Sequence, residues 1–340
     1  MLDKRILYQL QEMIKDANGI LIVAPDSPDG DSVGSNLALF SVWQQMDKQV
    51  FWYGDRGNDP GYNYIKGNEL CQFSRNLDQI RGRFDLVFHM DAGSLQQFEK
   101  TYQANPWLED IKTVTIDHHG SRGKEQTDLM IIDPKAASNT ILVLDIIEAL
   151  DWPIDKQIAE YLMIGIYSDT AGFVNANTDA RAYASAARLM QYQVDPHRLY
   201  REFIEGQALD HVSLTRLHKI MSSNVIKRGI VAYAHIDNSD IQDLDPGHHI
   251  SHRVMSHLDH LRGVKIRFVV SEVDTHQYKI SFRSTTDYDI SKVAEKFSGG
   301  GHKVAAGAKL VGPETVEQAA EQIYQTLIVE LGIEEAQIKK

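Results

Sequence analysis

At 340 residues the chain is long enough for about two domains, on a prior of roughly 150 residues each, so a single small stapled module is excluded. Hydrophobic residues make up 43% and charged residues 24%, with 23 Gly and 9 Pro, which is ordinary globular usage and rules out a collagenous or Pro-rich chain. Lys plus Arg number 35 against 47 Asp plus Glu, a formal net charge of -12, so no chain-wide basic field is available to hold long nucleic acid, and a nucleic-acid substrate has to be short or locally gripped.

The first fifteen residues mix charges into an apolar pattern at Leu2, Ile6, Leu7, Leu10 and Ile14, which reads as an amphipathic helix and not as a signal peptide. Asn18-Gly19 stops it. Short apolar runs follow at Gly19 to Ala24, Val50 to Tyr53, Leu86 to Met90, Val114 to Ile116 and Leu129 to Ile132. Runs this short and continuous describe strands buried on both faces, and they alternate with helical patterns at about Gly34 to Met46, Ala136 to Leu150 and Asp155 to Tyr167. The expected fold is therefore α/β, a doubly wound, mostly parallel sheet. Past Asn175 to Thr178 the rhythm changes: Asp179 to Gln193 and Pro196 to Met221 read as the last helix of that domain and a helical connector. Strand-like runs at Val225 to Ile236, Val264 to Val273 and Tyr278 to Arg283, a helix near Ile290 to Phe297, a strand near Ala305 to Val311 and a helix from Glu314 to Leu331 make a smaller α/β unit. The expected division is 1–190, a helical linker over 191–223, and 224–340. No apolar run approaches the roughly 18 residues of a membrane span. The lone cysteine, Cys71, excludes an intramolecular disulfide and a multi-cysteine zinc site, and the cytoplasm is the expected location, with no membrane partner.

Carboxylates and histidines stand immediately after the buried strands: Asp29-Gly30-Asp31 after the first, Asp91 after Leu86 to Met90, and Asp117-His118-His119 after Val114 to Ile116. In an open α/β sheet the carboxyl ends of the strands share one edge, so these groups converge in one crevice. Carboxylates so crowded repel unless cations neutralise them, and oxygen with imidazole donors suits Mn, Mg, Fe or Zn rather than a thiolate-loving metal. Taken singly, each piece has a plainer reading: a loop with a helix N-cap for Asp29 to Asp31, a turn for Asp91, a surface pair for the histidines. Their joint occurrence at strand ends is what favours a metal site.

Asp117-His118-His119, Pro28-Asp29-Gly30-Asp31 with Gly34-Ser35 upstream, Asp91 between them and Gly165 to Phe173 downstream resemble the motifs of the DHH phosphoesterase superfamily. Ser281-Phe282-Arg283-Ser284 and Gly299-Gly300-Gly301-His302 to Gly307 resemble the DHH-associated C-terminal domain of its oligoribonuclease and phosphoadenosine-phosphate phosphatase branch. The resemblance implies two divalent ions, Mn before Mg, Fe or Co. Asp29 is then a ligand of the first, Asp31, His118 and Asp169 of the second, and Asp91 bridges them. His119 faces the scissile phosphate and Asp117 orients the histidines, while Arg283, Ser284, Gly299, Gly300, Gly301 and His302 bind the far end of the substrate.

One position departs from the family pattern. Pro25 stands where a histidine ligand of the first metal is expected, so that ion has lost a donor. Asp26 next door and His89, two residues before Asp91 on the same strand face, are the available replacements, and for His89 a buried, hydrogen-bonded histidine is the plainer expectation. The histidines at 248, 249, 252, 257 and 260 read as a solvated helix face, because nothing completes a tetrahedral set at familiar spacing. The expected function is metal-dependent hydrolysis of short oligoribonucleotides, 5'-phosphorylated dinucleotides first, or of 3'-phosphoadenosine-5'-phosphate. Hydrolysis of cyclic dinucleotides or polyphosphate, and nucleotide binding without catalysis, are the rivals. No long nucleic acid is an expected partner, and a homodimer is compatible with the sequence.

Overall fold

The structure, a computed structural model, describes residues 2–25, 28–54, 65–73, 76–92, 94–119, 127–206, 208–244, 250–285 and 287–338. The chain divides into two units, Met1–Gln207 and Ala208–Lys340.

In the first unit, α1 (Lys4–Asp16) leads into β1 (Gly19–Val23), α2 (Gly30–Gln45), β2 (Gln49–Gly54), β3 (Gln72–Phe73), β4 (Leu86–Met90), α3 (Glu99–Ala104), β5 (Lys112–Asp117), β6 (Leu129–Ile132), α4 (Asn139–Ala149), α5 (Lys156–Thr170), α6 (Ala180–Leu189) and α7 (Pro196–Gly206). The strands form one sheet in the order β3-β2-β1-β4-β5-β6, every pair parallel. Every residue of β1 and β4 is buried, because two apolar layers use alternate side chains of the same strands. Ile20, Ile22, Phe88 and Met90 pack with α2, α4 and α5, while Leu21, Val23 and Val87 pack with Phe98 and Leu108 on the opposite face. The expected doubly wound parallel sheet is what forms. Helix α2 begins four residues before the apolar pattern does, because Asp29 caps it, accepting hydrogen bonds from Asp31 N at 3.0 Å and Ser32 N at 2.9 Å.

Helices α2 and α5 cross at close range through two glycines. A Cβ on Gly34 would stand 2.5 Å from the Tyr161 carbonyl oxygen, and one on Gly165 would stand 2.3 Å from Thr140 and 2.6 Å from Asp31 Oδ1. The second contact ties backbone packing directly to a candidate ligand.

The second unit contains α8 (His211–Ser223), β7 (Val225–Arg228), β8 (Val231–Ile236), α9 (Asn238–Ile241), α10 (Ile250–Asp259), β9 (Ile266–Asp274), β10 (Gln277–Ser284), α11 (Ser291–Glu295), β11 (Gly300–His302), β12 (Ala305–Val311), α12 (Val316–Glu330) and α13 (Glu335–Ile338). Its sheet runs β11-β12-β10-β9-β8-β7, antiparallel except for the parallel pair β8 and β9. Helices α11 and α12 bury one face through Tyr233, Phe268, Ile280 and Phe282. Among the described residues, helices α8 and α10 cover the other face over β7, β8 and β9, through Val225, Ala232, Ala234 and Val269.

The stretch 196 to 221, expected as one helical connector, is two helices. Asp210 accepts a hydrogen bond from Ser213 N at 2.8 Å and starts α8 afresh. Helix α7 packs on α5 in the first unit, and α8 packs on α10 and β8 in the second. Among the described residues no helix is long and apolar enough to cross a membrane.

Candidate metal centre

The carboxyl ends of β1, β4 and β5 open on the same edge of the first sheet, and the end of α5 supplies a fourth element. Two donor sets form there among the described residues: Asp91 with His118 and His119, and Asp31 with His118 and Asp169. His118 belongs to both. Its Nε2 lies 3.2 Å from Asp169 Oδ2, 3.3 Å from Asp91 Oδ1 and 3.7 Å from Asp31 Oδ2, and its Nδ1 is 3.1 Å from the Ala136 carbonyl oxygen. With Nδ1 donating to that carbonyl, the imidazole keeps Nε2 as its ligand atom, the usual way a protein fixes a metal-binding tautomer.

Each carboxylate is held in place by its own chain. Asp31 is fully buried and sits over the start of α4, where Oδ2 accepts from Asn139 N at 2.5 Å and Oδ1 from Thr140 N at 2.9 Å. Helix N-termini present unpaired N–H groups that favour an anion at this position. Asp91 has left the strand with φ 54, a left-handed conformation that Asp tolerates, and Ser32 Oγ donates to its Oδ2 at 2.6 Å. Asp117 Oδ1 accepts from His119 N at 3.1 Å and lies 2.7 Å from His119 Nδ1, so it holds His119 alone, while a backbone carbonyl holds His118. Asn175 and Asn177 both donate to the Asp169 carbonyl oxygen, at 2.8 and 3.2 Å, which ties down the end of α5.

The electrostatics show what is missing. Burial, then repulsion from Asp91 and Asp169, pushes the Asp29 carboxyl up to about 7. Burial and the same two neighbours raise Asp31 well above the ordinary range, and Asp169 is raised as well, by burial first. Asp91 goes the other way: the neighbouring His118 and the hydrogen bond from Ser32 overcome its burial and hold it low. For His118, burial opposes the charge, but the carboxylates around it push its pKa up to about 12. Four acids, Asp31 and Asp91 among them fully buried, thus share two imidazoles, and the buried Oδ1 of Asp91 has no hydrogen-bond partner. An oxygen-and-imidazole donor set short of positive charge, with an orphaned carboxylate oxygen, fits divalent cations.

The remaining expectations separate. Neither donor set includes Asp29, whose Oδ1 is spent on capping α2. Asp26 lies outside the described residues. His89 is fully buried on the Val87 face of β4, packed against Phe98 at 4.6 Å between ring centroids in a tilted arrangement and 2.9 Å from the Tyr102 hydroxyl, and burial pulls its pKa down to about 4. It is a core histidine and does not replace the donor lost at Pro25. Of the histidine run, positions 248 and 249 lie outside the described residues, and His252, His257 and His260 enter neither donor set.

In the second unit, Arg283 lies half-buried on the uncovered face of β10, where burial and the neighbouring Arg267 both work against its charge. Ser281 shares that face. Ser284 points the other way and donates to the Tyr288 carbonyl oxygen at 2.9 Å. Gly299 and Gly301 are small for packing reasons, since a Cβ there would stand 2.2 Å from the Gly307 oxygen and 2.6 Å from the Ala305 oxygen respectively; at Gly300 a Cβ would meet open space. His302 pairs with Ala305 through its backbone, and its side chain lies outside the described residues.

Residues 19–166 match the DHH family N-terminal domain, and residues 231–328 match the DHHA1 domain. The chain carries a DHH domain followed by a DHHA1 domain. Its sequence is 26% identical over 323 residues to a bifunctional oligoribonuclease and PAP phosphatase, NrnA, of Thermus thermophilus, covering 94% of this chain and 93% of that protein. It is 24% identical to a cyclic-di-AMP phosphodiesterase, GdpP, of Geobacillus thermodenitrificans, over 95% of this chain but 49% of the relative. The fold matches the crystal structure of an exopolyphosphatase-related protein from Bacteroides fragilis, with a TM-score of 0.86 and 22% identity over 97% of this chain and 98% of the other.

The residues that sequence reasoning missed are supports of the site: Ser32, Asn139, Thr140 and the Ala136 carbonyl. Ser138 ahead of an apolar run does announce a helix start, and Ser138 Oγ accepts from Ile141 N. That this helix end grips a carboxylate 108 residues earlier has no local signal.

Proposed function

We propose that the chain is a metal-dependent phosphoesterase that hydrolyses short 5'-phosphorylated oligoribonucleotides, dinucleotides first, or adenosine 3',5'-bisphosphate. The observation that carries this reading is the pair of donor sets meeting on His118 beside an unsatisfied Asp91 oxygen. The DHH domain supports phosphoester hydrolysis, and the similarity to an oligoribonuclease and PAP phosphatase supports the substrate class.

Asp31, Asp91, His118 and Asp169 would hold two divalent ions, manganese in this proposal, with Asp29 contributing through its second oxygen. Ions so held supply an activated water and neutralise charge on the phosphoryl oxygens. The chain's own groups do the positioning. Asp117 fixes His119 through Nδ1 and leaves Nε2 of a side chain that is 45% exposed free to hydrogen-bond a phosphoryl oxygen. Arg283 offers a planar fork for a phosphate elsewhere on the substrate, and Gly300 exposes backbone without a side chain.

Hydrolysis of a 5'-phosphorylated diribonucleotide with Mn, run beside Asp91→Asn, tests the reading. Mononucleotide release by the native chain alone is the expected result. The loss of a donor at Pro25 favours one other reading, a nucleotide-binding protein without catalysis. Substrate binding without release, and fewer than two ions per chain by elemental analysis, would establish that alternative. Turnover of cyclic in place of linear dinucleotides would shift the substrate class.

A further inference from the structure

In the second unit the start of α12 lies against the carboxyl end of β8, and three acids and a histidine gather there. His235 alternates with Val231 and Tyr233 along β8, so it faces α12 rather than α8 and α10. Its parallel partner is Val270, and Glu272 follows two residues later on the same side of β9, directly opposite Tyr278 of β10. Asp237 leaves β8 just after His235, and Glu317 sits in the first turn of α12. None of these groups belongs to the donor sets of the first unit.

The polar groups of this cluster are poorly satisfied. His235 is only 8% exposed, and its buried Nδ1 has no hydrogen-bond partner: the nearest acid, Glu317, stands off with Oε1 at 3.8 Å. A ring nitrogen shut away from water and left unpaired costs stability. Asp237 is the N-cap residue of α9, yet its side chain caps nothing; Glu272 serves instead, with Oε2 accepting from Asn238 N at 3.1 Å. Among the described residues no lysine or arginine pairs with Asp237, Glu272 or Glu317, whereas nearby Asp240 is met by Lys219 at 2.9 Å. The uncompensated charge acts on its surroundings. Burial, then Glu317 and Glu272, raises the Asp237 carboxyl, and burial, then the same three acids, raises the Tyr278 phenol.

We propose that His235, Asp237, Glu272 and Glu317 form a further metal site, which takes a divalent ion of the zinc class on Nδ1 of the imidazole and on carboxylate oxygens. A donor set of one imidazole with carboxylates suits zinc better than magnesium, which takes oxygen ligands and keeps its waters. These donors are not gathered as tightly as the two sets of the first unit, and Glu317 is the group that closes them. Its side chain is 58% exposed, so it turns toward Nδ1 without disturbing the core. An ion held here fastens the start of α12 to the ends of β8 and β9, and so braces the second unit instead of acting on a substrate. The inference is independent of the nucleotide reading.

Equilibrium dialysis of the full chain against buffered zinc, after stripping with EDTA and with the bound metal counted by elemental analysis, tests this. The native chain should hold one zinc ion more than His235→Gln or Glu317→Gln, and Asp91→Asn, in the other unit, should keep that ion. Glu317 is exposed, so its variant is expected to fold even where loss of the buried His235 is not tolerated, and the melting temperatures of the stripped proteins verify both. His260→Gln removes an exposed histidine beyond the end of α10 and should change nothing. Equal zinc content in the native chain, His235→Gln and Glu317→Gln overturns the site, whatever the first unit binds. An equal loss in His260→Gln also overturns it, because zinc would then be held loosely by surface histidines. With magnesium the native chain and its variants should not differ; a difference as large as with zinc overturns the donor role of His235.

Discussion

The two sheets of the chain fail to balance their charge in opposite ways. At the carboxyl edge of the first, Asp29, Asp31, Asp91 and Asp169 crowd around His118, and burial with mutual repulsion raises three of the four. On the open face of the second, Arg283, Lys279 and Lys309 gather around a glycine floor with little negative charge to meet them. A protein that folds for stability alone does not leave both deficits. The first suits cations and the second anions.

The comparison is easiest to break at the first sheet. Asp91→Asn removes a carboxylate without changing its shape and should cost more than about 100-fold in turnover, beyond the 10- to 100-fold typical of residues that only support a ligand. Asp117→Asn supports His119 alone and should fall inside that range, with metal content unchanged. Equal losses from the two would put Asp117 among the ligands. Gly165→Ala drives a methyl group against Asp31 and Thr140 and should destabilise by about 1–3 kcal/mol in urea titrations. Some turnover should be lost with it, because the displaced atom is a donor oxygen. Saturating Mn should raise the melting temperature of the native chain, by mass action on the folded state, and raise it less in Asp91→Asn.

The second sheet sharpens the contrast with smaller effects. Ser281→Ala should raise the KM for a diribonucleotide and leave stability alone. Ser284→Ala should do the reverse, costing about 1 kcal/mol through its lost hydrogen bond to Tyr288. The least affected group belongs to neither site. Burial pushes the Cys71 thiol up to about 12, so it stays protonated across the working pH range, and iodoacetamide at pH 8.5 should modify the denatured chain far faster than the native one.

Sequence alone reached five of the six strands of the first unit to within about two residues, because strands buried on both faces read as continuous apolar runs; the two-residue β3 carries no such run and was missed. Leu86–Met90 and Leu129–Ile132 form as expected. It also reached Asp31, Asp91 and His118, whose positions after strands determine that they meet, while Asp169 came from the family resemblance. The break between α7 and α8 was hidden, since Asp210 interrupts an otherwise helical pattern with a cap that resembles any other surface aspartate. Which serine of Ser281 to Ser284 lies on the open face was hidden as well. Alternation puts Ser281 and Arg283 on one side and Ser284 on the other, but only the covering helices show which side is open. Two glycines of the run at 299 to 301 owe their size to the backbone of β12, a contact no local pattern announces.

Asp31 over the start of α4, His118 against the Ala136 carbonyl and His119 against Asp117 have one consequence for the traffic of ions. The cage stands ready before any ion arrives, so little ordering entropy is lost at loading. Exchange should then be governed by how readily an ion sheds its water. A chelator should strip the protein quickly and leave its secondary structure intact, and a second metal added afterwards should enter as fast as it dehydrates.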